Sequence, residues 1–407
     1  MIRVAEMFAG VGGFRLGLEG YGKPGDAFYM PPAGDFRTVW ANQWEPPGTE
    51  GKQFAWRCYE SRFGAGSCVN RNIEDVLDDF EAGKCDIPDF DLLVGGFPCQ
   101  DYSVSRPAPY AKGIEGKKGV LWWSIHRMLT LKRPKYVLLE NVDRLLKSPT
   151  AQRGRDFAVM LSCLAQLGYS AEWMVVNAAD YGFPQRRRRV YVFAAARGTR
   201  IDINPVVSEA FPFDSSTAGT FEVPKDPYVA SETFGHPINS PFLKYGRLLG
   251  NNVATCEFEP RFEGVHRTIR DVMVHDSDVP DQFFISPESL ERWEYLKGAK
   301  REPRVAKNGH EYVYSEGPVA FPDDLDKPSR TILTSEGGSG PSRTKHVVRG
   351  DSGRLRRLVP NELDALQGFP KGWTEGLTDS QRAFCMGNAL VVGIPHAIGL
   401  EIAKMDA

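Results

Sequence analysis

Short apolar runs and helix-period stretches alternate through the first half of the chain. Runs that read as buried strands lie at residues 2–8, 38–41, 92–94, 134–139, 171–177 and 190–195. Between them, the segment opening at Gly13 and the stretches Gln53–Phe63, Leu121–Leu131 and Phe157–Leu167 have helical spacing, and Asn72–Val76 is another strand-to-helix junction. Strands alternating with helices predict an α/β fold with an open parallel sheet. In such sheets ligands gather past the carboxyl ends of the strands. From residue 197 to about 355 the pattern changes. Pro and Gly rise, periodicity fades, and short β-prone runs mix with Gly/Ser loops carrying Arg and Lys. This predicts a second, irregular, mostly β domain. A helix with an apolar face falls within 357–369, and a last helix runs from Pro395 to Met405.

Composition narrows the class. With 50 basic and 52 acidic side chains the 407-residue chain carries a net charge of −2, so a basic face would have to be local. The 7 cysteines are odd in number, scattered and without C-x-x-C pairs. That fits a reducing compartment and argues against a disulfide framework or a structural metal site. No apolar run is long enough to span a membrane, and the chain opens directly on a strand, so a cytoplasmic protein is expected.

Candidate chemistry sits at the predicted strand tips. After the first strand, Gly10, Gly12 and Gly13 let the backbone approach a ligand and aim helix N–H groups at it, although any tight β–α turn needs glycine. After the second, Asn42, Gln43, Trp44 and Glu45 could hold ribose hydroxyls and stack on a base, or simply form a surface turn. After the third, Gly95-Gly96-Phe97-Pro98-Cys99 places a thiol as a nucleophile would be placed; a buried core thiol is the plain alternative. Glu140 ends the next strand, where a carboxyl could hold or donate a proton, or cap the following helix. Arg186–Arg189 then lead into an apolar strand, Arg187 and Arg189 on one side and Arg186 and Arg188 on the other. Four arginines there need anions to meet them. The glycine- and lysine-rich stretch 106–120 reads as a lid or an open loop, and the basic glycine loop within 326–349 could enter a DNA groove or be ordinary surface.

Six stretches, F-A-G-V-G-G, P-C-Q, E-N-V, Q-R-R-R-R, R-L-V-P-N-E-L-D-A-L-Q-G-F-P and G-N-A-L-V, together resemble the DNA (cytosine-5)-methyltransferase family in order and spacing. The resemblance implies a Rossmann-like class I methyltransferase domain with a mixed, mostly parallel sheet, residues 1–197 and 384–407, that uses S-adenosyl-L-methionine, and a smaller, irregular β-rich target-recognition domain, residues 198–383. It implies Cys99 as nucleophile, Glu140 as the acid on cytosine N3, and Arg187 and Arg189 as pocket arginines. Cofactor contacts are expected at Phe8, Ala9, Gly10, Val11, Gly12, Gly13, Gln43, Trp44, Asn72, Ile73, Gly96, Pro98, Leu121, Asn388 and Ala389. DNA contacts are expected at Gln100, Ser103, Ser105, Arg106, Gln185, Arg330, Arg343 and Lys345, with no metal. The chain departs from the common pattern at Gln43, where many members have Glu, at Asn72, where many have Asp, and at Ala389, where Ser is common. A bacterial, nucleoid-associated monomer acting on duplex DNA is implied, with a cognate restriction endonuclease as partner. The rivals are a tRNA cytosine methyltransferase, which needs less duplex-reading chain than 198–350 supplies, and a non-catalytic DNA-binding relative, which the filled catalytic positions oppose.

Overall fold

The computed structural model describes residues 1–26, 29–97, 121–202, 204–305 and 309–406. These form two compact units: Met1–Tyr181 with Arg187–Gly264 and Leu390–Ala407, and Gly182–Arg186 with Val265–Ala389. The chain runs β1 (Ile2–Met7), α1 (Gly13–Glu19), β2 (Phe36–Asn42), α2 (Phe54–Phe63), α3 (Ile73–Glu81), β3 (Leu92–Gly96), α4 (Leu121–Lys132), β4 (Tyr136–Val142), α5 (Arg155–Gln166), β5 (Tyr169–Asn177) and β6 (Arg188–Ala196). It continues with α6 (Val207–Ala210), β7 (Phe213–Glu222), α7 (Pro227–Thr233), β8 (Tyr245–Leu249), β9 (Asn252–Pro260), α8 (Pro287–Lys297), β10 (Lys300–Val305) and β11 (Glu311–Glu316). Last come β12 (Val347–Arg349), β13 (Leu355–Arg357), α9 (Pro360–Leu366), α10 (Asp379–Asn388) and α11 (Gly393–Asp406).

The first unit is built on a nine-stranded sheet in the order β2-β1-β3-β4-β6-β5-β8-β9-β7. The pairs from β2 to β4 are parallel and those from β4 onward antiparallel, so β1–β5 and β9 share one direction. Val4, Leu92, Leu93, Val94 and Leu138 are fully buried, as strands covered on both faces require. α11 packs on α1, and a Cβ on Gly17 would come within 2.9 Å of Pro395 Cγ and of the Val392 carbonyl, so this close helix approach needs glycine. No single helix among the described residues is long and apolar enough to cross a membrane.

The expected domain boundary at 198 does not coincide with these units: residues 198–264 belong to the first. Strand β8 pairs with the edge of β5, and β9 and β7 follow it. The extension buries Leu248, Val253 and Phe258, and Phe242 joins the Phe157–Trp173 ring pair at 4.9 and 5.6 Å. At Gly246 a Cβ would lie 2.1 Å from Trp173 Cζ2, so the Trp fills the space of an absent side chain. Apolar area buried on that edge, rather than a shift in composition, sets the boundary.

The second unit holds two two-stranded antiparallel pairs, β10–β11 and β12–β13, with α8, α9 and α10 and connecting turns. At its centre Arg356, fully buried, bonds Asp276 at 2.8 Å, both Glu362 carboxylate oxygens at 2.9 and 2.8 Å, and the Val274 carbonyl at 3.1 Å. Every arm of the guanidinium meets an acceptor, which is what makes a buried charge tolerable.

Candidate functional site

The turn after β1 is strained and tied to the end of β2. Phe8, a non-glycine, has φ 56°, and Gly10 and Gly12 have φ 55° and 86°. Such a backbone costs about 1–3 kcal/mol at a non-glycine residue and survives only where the surroundings hold it. They do so here. Ala9 N–H donates to the Asn42 carbonyl at 3.0 Å and Gly10 N–H to Gln43 Oε1 at 2.7 Å. Gln43 Nε2 in turn donates to Glu45 Oε1 at 3.1 Å, and Asn70 Nδ2 to the Gln43 carbonyl at 2.7 Å. A Cβ on Gly12 would strike Phe63 at 2.3 Å, whereas one on Gly10 would meet nothing within 4 Å. The turn is packed from beneath and open above Gly10, a cradle that fits an extended small molecule. Around it, Val11 is buried, Trp44 is half-buried beside Gly48, Ile73 is buried, and Asn72 caps α3 by accepting from Glu74 N–H at 3.3 Å. Leu121 opens α4, half-buried.

Beneath this turn lies a residue that the chain pattern did not single out. Glu6 is 1% exposed; Tyr59 O–H donates to its Oε2 at 3.0 Å, and its Oε1 has no hydrogen-bond partner among the described residues. Burial pushes its carboxyl up to about 7 against the pull of Tyr59 and Arg15. The sequence signal was a lone acid inside the apolar run I-R-V-A-E-M-F.

The second cluster forms where β3, β4 and β6 end. Glu140 is 8% exposed, and Arg189 Nε meets its Oε1 at 2.8 Å. Gly96 pairs with Glu140 across the sheet, and a Cβ there would come within 3.1 Å of Glu140 Oε2. Asn141 Nδ2 donates to the Phe97 carbonyl at 2.8 Å, pinning the chain one residue before Pro98. Arg187 is buried within electrostatic reach of both groups; burial first, then Arg189, pushes its guanidinium down to about 9 against the opposing pull of Glu140. Arg186 and Arg188 are exposed, and Arg188 pairs with Asp143 at 3.1 Å. The strand alternation therefore sorts the four arginines as expected. Pro98, Cys99, Gln100, Ser103, Ser105 and Arg106 lie outside the described residues.

Comparison with known proteins decides the family. A family model described as C-5 cytosine-specific DNA methylase matches residues 2–404. The chain belongs to that family. This methylase is 43% identical to the Type II methyltransferase M.Sau3AI of Staphylococcus aureus, over 100% of this chain and 96% of that one. It is 33% identical to M.HhaI of Haemophilus parahaemolyticus, over 99% and 94%. Among solved structures, the Dnmt2 methyltransferase of S. pombe superposes with a TM-score of 0.58 at 16% identity, covering 100% of this chain and 98% of that one. A DNMT2 mutant from Spodoptera frugiperda gives 0.57 at 15% identity, over 100% and 99%. The methylase has the Rossmann-like methyltransferase fold and is a DNA cytosine-5 methyltransferase.

Four of the expected DNA contacts of the methylase lie among the described residues. Gln185 is fully buried, donating to the Leu366 carbonyl at 3.2 Å and accepting from Ile332 N–H at 3.0 Å. Arg330 pairs with Asp323 at 2.8 Å and donates to the Thr344 carbonyl. Arg343 pairs with Glu316 at 2.9 Å and donates to the Leu296 carbonyl. Lys345 is 6% exposed, its ammonium held by the Gly338 and Gly340 carbonyls, each at 2.8 Å. All four have internal partners in this structure. Asn388 is exposed and Ala389 half-buried at the end of α10, in the second unit.

Proposed function

We propose that the methylase transfers the methyl group of S-adenosyl-L-methionine to carbon 5 of a cytosine extruded from duplex DNA, through a transient bond between Cys99 and carbon 6. The observation that carries this reading is the buried Glu140 carboxyl, paired with Arg189 and facing Arg187, at a strand tip beside Gly96. Carbon 5 of cytosine is a weak nucleophile. Addition of the Cys99 thiolate at carbon 6 forms a C–S bond and moves an electron pair toward carbon 5, while a proton shared between Glu140 and N3 offsets the charge arising on the ring. An arginine on the O2 side holds the ring and takes up negative charge. Carbon 5 takes the methyl; its own proton then leaves to a base, and the thiolate departs. The chemistry that the bound cofactor supplies is a methyl group on a positively charged sulfur. Gly10, Gly12 and Gly13 would hold its amino-acid end, Gln43 and Glu45 its ribose and Ile73 its base. The open space above Gly10 fits that group. The target atom cannot be reached inside the stack, so the base is flipped out.

Relatives named Type II methyltransferases support a role as the modification enzyme of a restriction–modification system. Reading of the target sequence would fall to the second unit, chiefly Val265–Ala389. The test is methyl transfer from labelled cofactor to duplex DNA and to tRNA, with a 5-fluorocytosine duplex as trap. Transfer to DNA and a denaturation-resistant adduct that Cys99→Ser loses are expected. Transfer to tRNA alone, or an adduct that persists in Cys99→Ser, would overturn the reading.

A further inference from the structure

The turn past β2 is held by a set of side-chain amides. Asn70 Nδ2 donates at 2.7 Å both to the Gln43 carbonyl and to Gln53 Oε1. Gln53 is buried and grips Glu45 by both main-chain groups. Its Oε1 accepts from Glu45 N–H at 3.1 Å, and its Nε2 donates to the Glu45 carbonyl at 2.7 Å. Gly48 N–H donates to the same carbonyl at 2.8 Å. The backbone at residues 43 and 45 is thereby fixed, and so are the starting points of both side chains.

The Gln43 carboxamide has a forced orientation. Gly10 N–H can only donate, so the atom 2.7 Å from it is Oε1. The other end is then the amide nitrogen, and it faces an acceptor, Glu45 Oε1, at 3.1 Å. The carboxylate of this turn thus sits two residues beyond Gln43. Glu45 is half-buried, and its Oε2 has no hydrogen-bond partner among the described residues. The series Gly10, Gln43, Glu45 ties that carboxylate to the open turn. A ribose presents adjacent hydroxyls, and in doubly wound folds an acid past the second strand accepts from them. Such bonds to an ionised acceptor are the strong ones.

We infer that Glu45 supplies the carboxylate that takes the cofactor's ribose hydroxyls, and that Gln43 is a positioning residue which fixes this carboxylate against the Gly10 turn. The inference rests on the reading above that the turn holds S-adenosyl-L-methionine. A Glu at position 43 would set two carboxylates against each other at hydrogen-bond distance, which disfavours charge on both.

The test is calorimetry on the full chain with S-adenosyl-L-homocysteine, the demethylated cofactor, and with its 2′-deoxy and 3′-deoxy analogues. The wild-type is expected to bind the parent compound at least roughly tenfold more tightly than one or both analogues, a difference of about 1.4 kcal/mol. Equal binding of all three overturns the inference. Glu45→Met keeps the length of the side chain and removes both oxygens. It is expected to weaken the parent compound by that factor and to bring the ratio of parent to analogue below about threefold. A loss shared equally by the three compounds, with the ratio kept, marks a merely structural role and overturns the assignment. Glu45→Gln keeps an acceptor for Gln43 but turns an amide nitrogen outward, and it decides by the same ratio if Glu45→Met does not fold. Gln43→Glu is expected to bind the parent compound less tightly than the wild-type. Binding as tight or tighter would place the ribose on residue 43 and overturn the division of roles. A wild-type chain that binds none of the three compounds means that the cofactor reading itself has failed.

Discussion

Two buried sets of arginine and carboxylate, one in each unit, differ in their charge balance. In the second unit one guanidinium, Arg356, lies between two carboxylates, Asp276 and Glu362, with two carbonyls completing the set. Burial lowers its proton affinity, but the acids more than offset that, and the guanidinium is held above its ordinary value. In the first unit two guanidinia, Arg187 and Arg189, share one carboxylate, Glu140, and Arg187 is pushed down to about 9. The first arrangement is closed and serves the fold. The second lies at the strand tips, where the proposed reaction brings an electron-rich ring.

Four measurements can break or sharpen this contrast. Glu140→Gln should lower methyl transfer to duplex DNA roughly a thousandfold, about 4 kcal/mol in the barrier. Its thermal melt should shift less than that of Arg356→Met; retention of a tenth of the activity would remove Glu140 from the reaction. Arg356→Met leaves Asp276 and Glu362 buried without their cation and should cost about 3–5 kcal/mol in denaturant unfolding. A cost under about 1 kcal/mol would dissolve the distinction between the two clusters.

Glu6 supplies a pH handle. In the folded chain it keeps a proton that the unfolded chain releases, so its contribution to stability is full below its ordinary value near 4.5 and is lost as pH rises to about 7. The stability of Glu6→Gln relative to the wild-type should therefore rise by about 3 kcal/mol between pH 4.5 and pH 8. A difference independent of pH would refute the buried, proton-holding state. The smallest effect is expected at Phe8→Gly. Relief of its positive φ should nearly balance the lost side-chain packing and the looser unfolded chain, leaving stability within about 1 kcal/mol of wild-type. Cofactor binding, followed by calorimetry, should weaken as the turn loosens; unchanged affinity would separate the strain from the site.

Much of this was legible in the chain. The period-2 alternation of a strand sorted Arg186–Arg189 correctly, because backbone geometry alone decides which side chains share a face. The strand–glycine–helix order placed Gly10, Gln43 and Glu140 at strand tips for the same reason. Glu6 was not legible as a special group: its position in the strand was plain, but its proton affinity is raised by burial, which only the packing of distant segments such as that of Tyr59 brings about. The partners of Lys345 were not legible, since a lysine beside glycines looks the same in sequence whether it faces a phosphate or its own loop.

The amino-acid order by itself determined the local elements, the parallel half of the sheet and the family, because these follow from periodicity and from residues close in sequence. Tertiary structure alone decided that residues 198–264 extend the first unit, that Arg187 is desolvated beside Glu140, and that Lys345 points inward. Each of those depends on how much area is buried and which charges meet after distant segments pack, and neither quantity is written in any single stretch of chain.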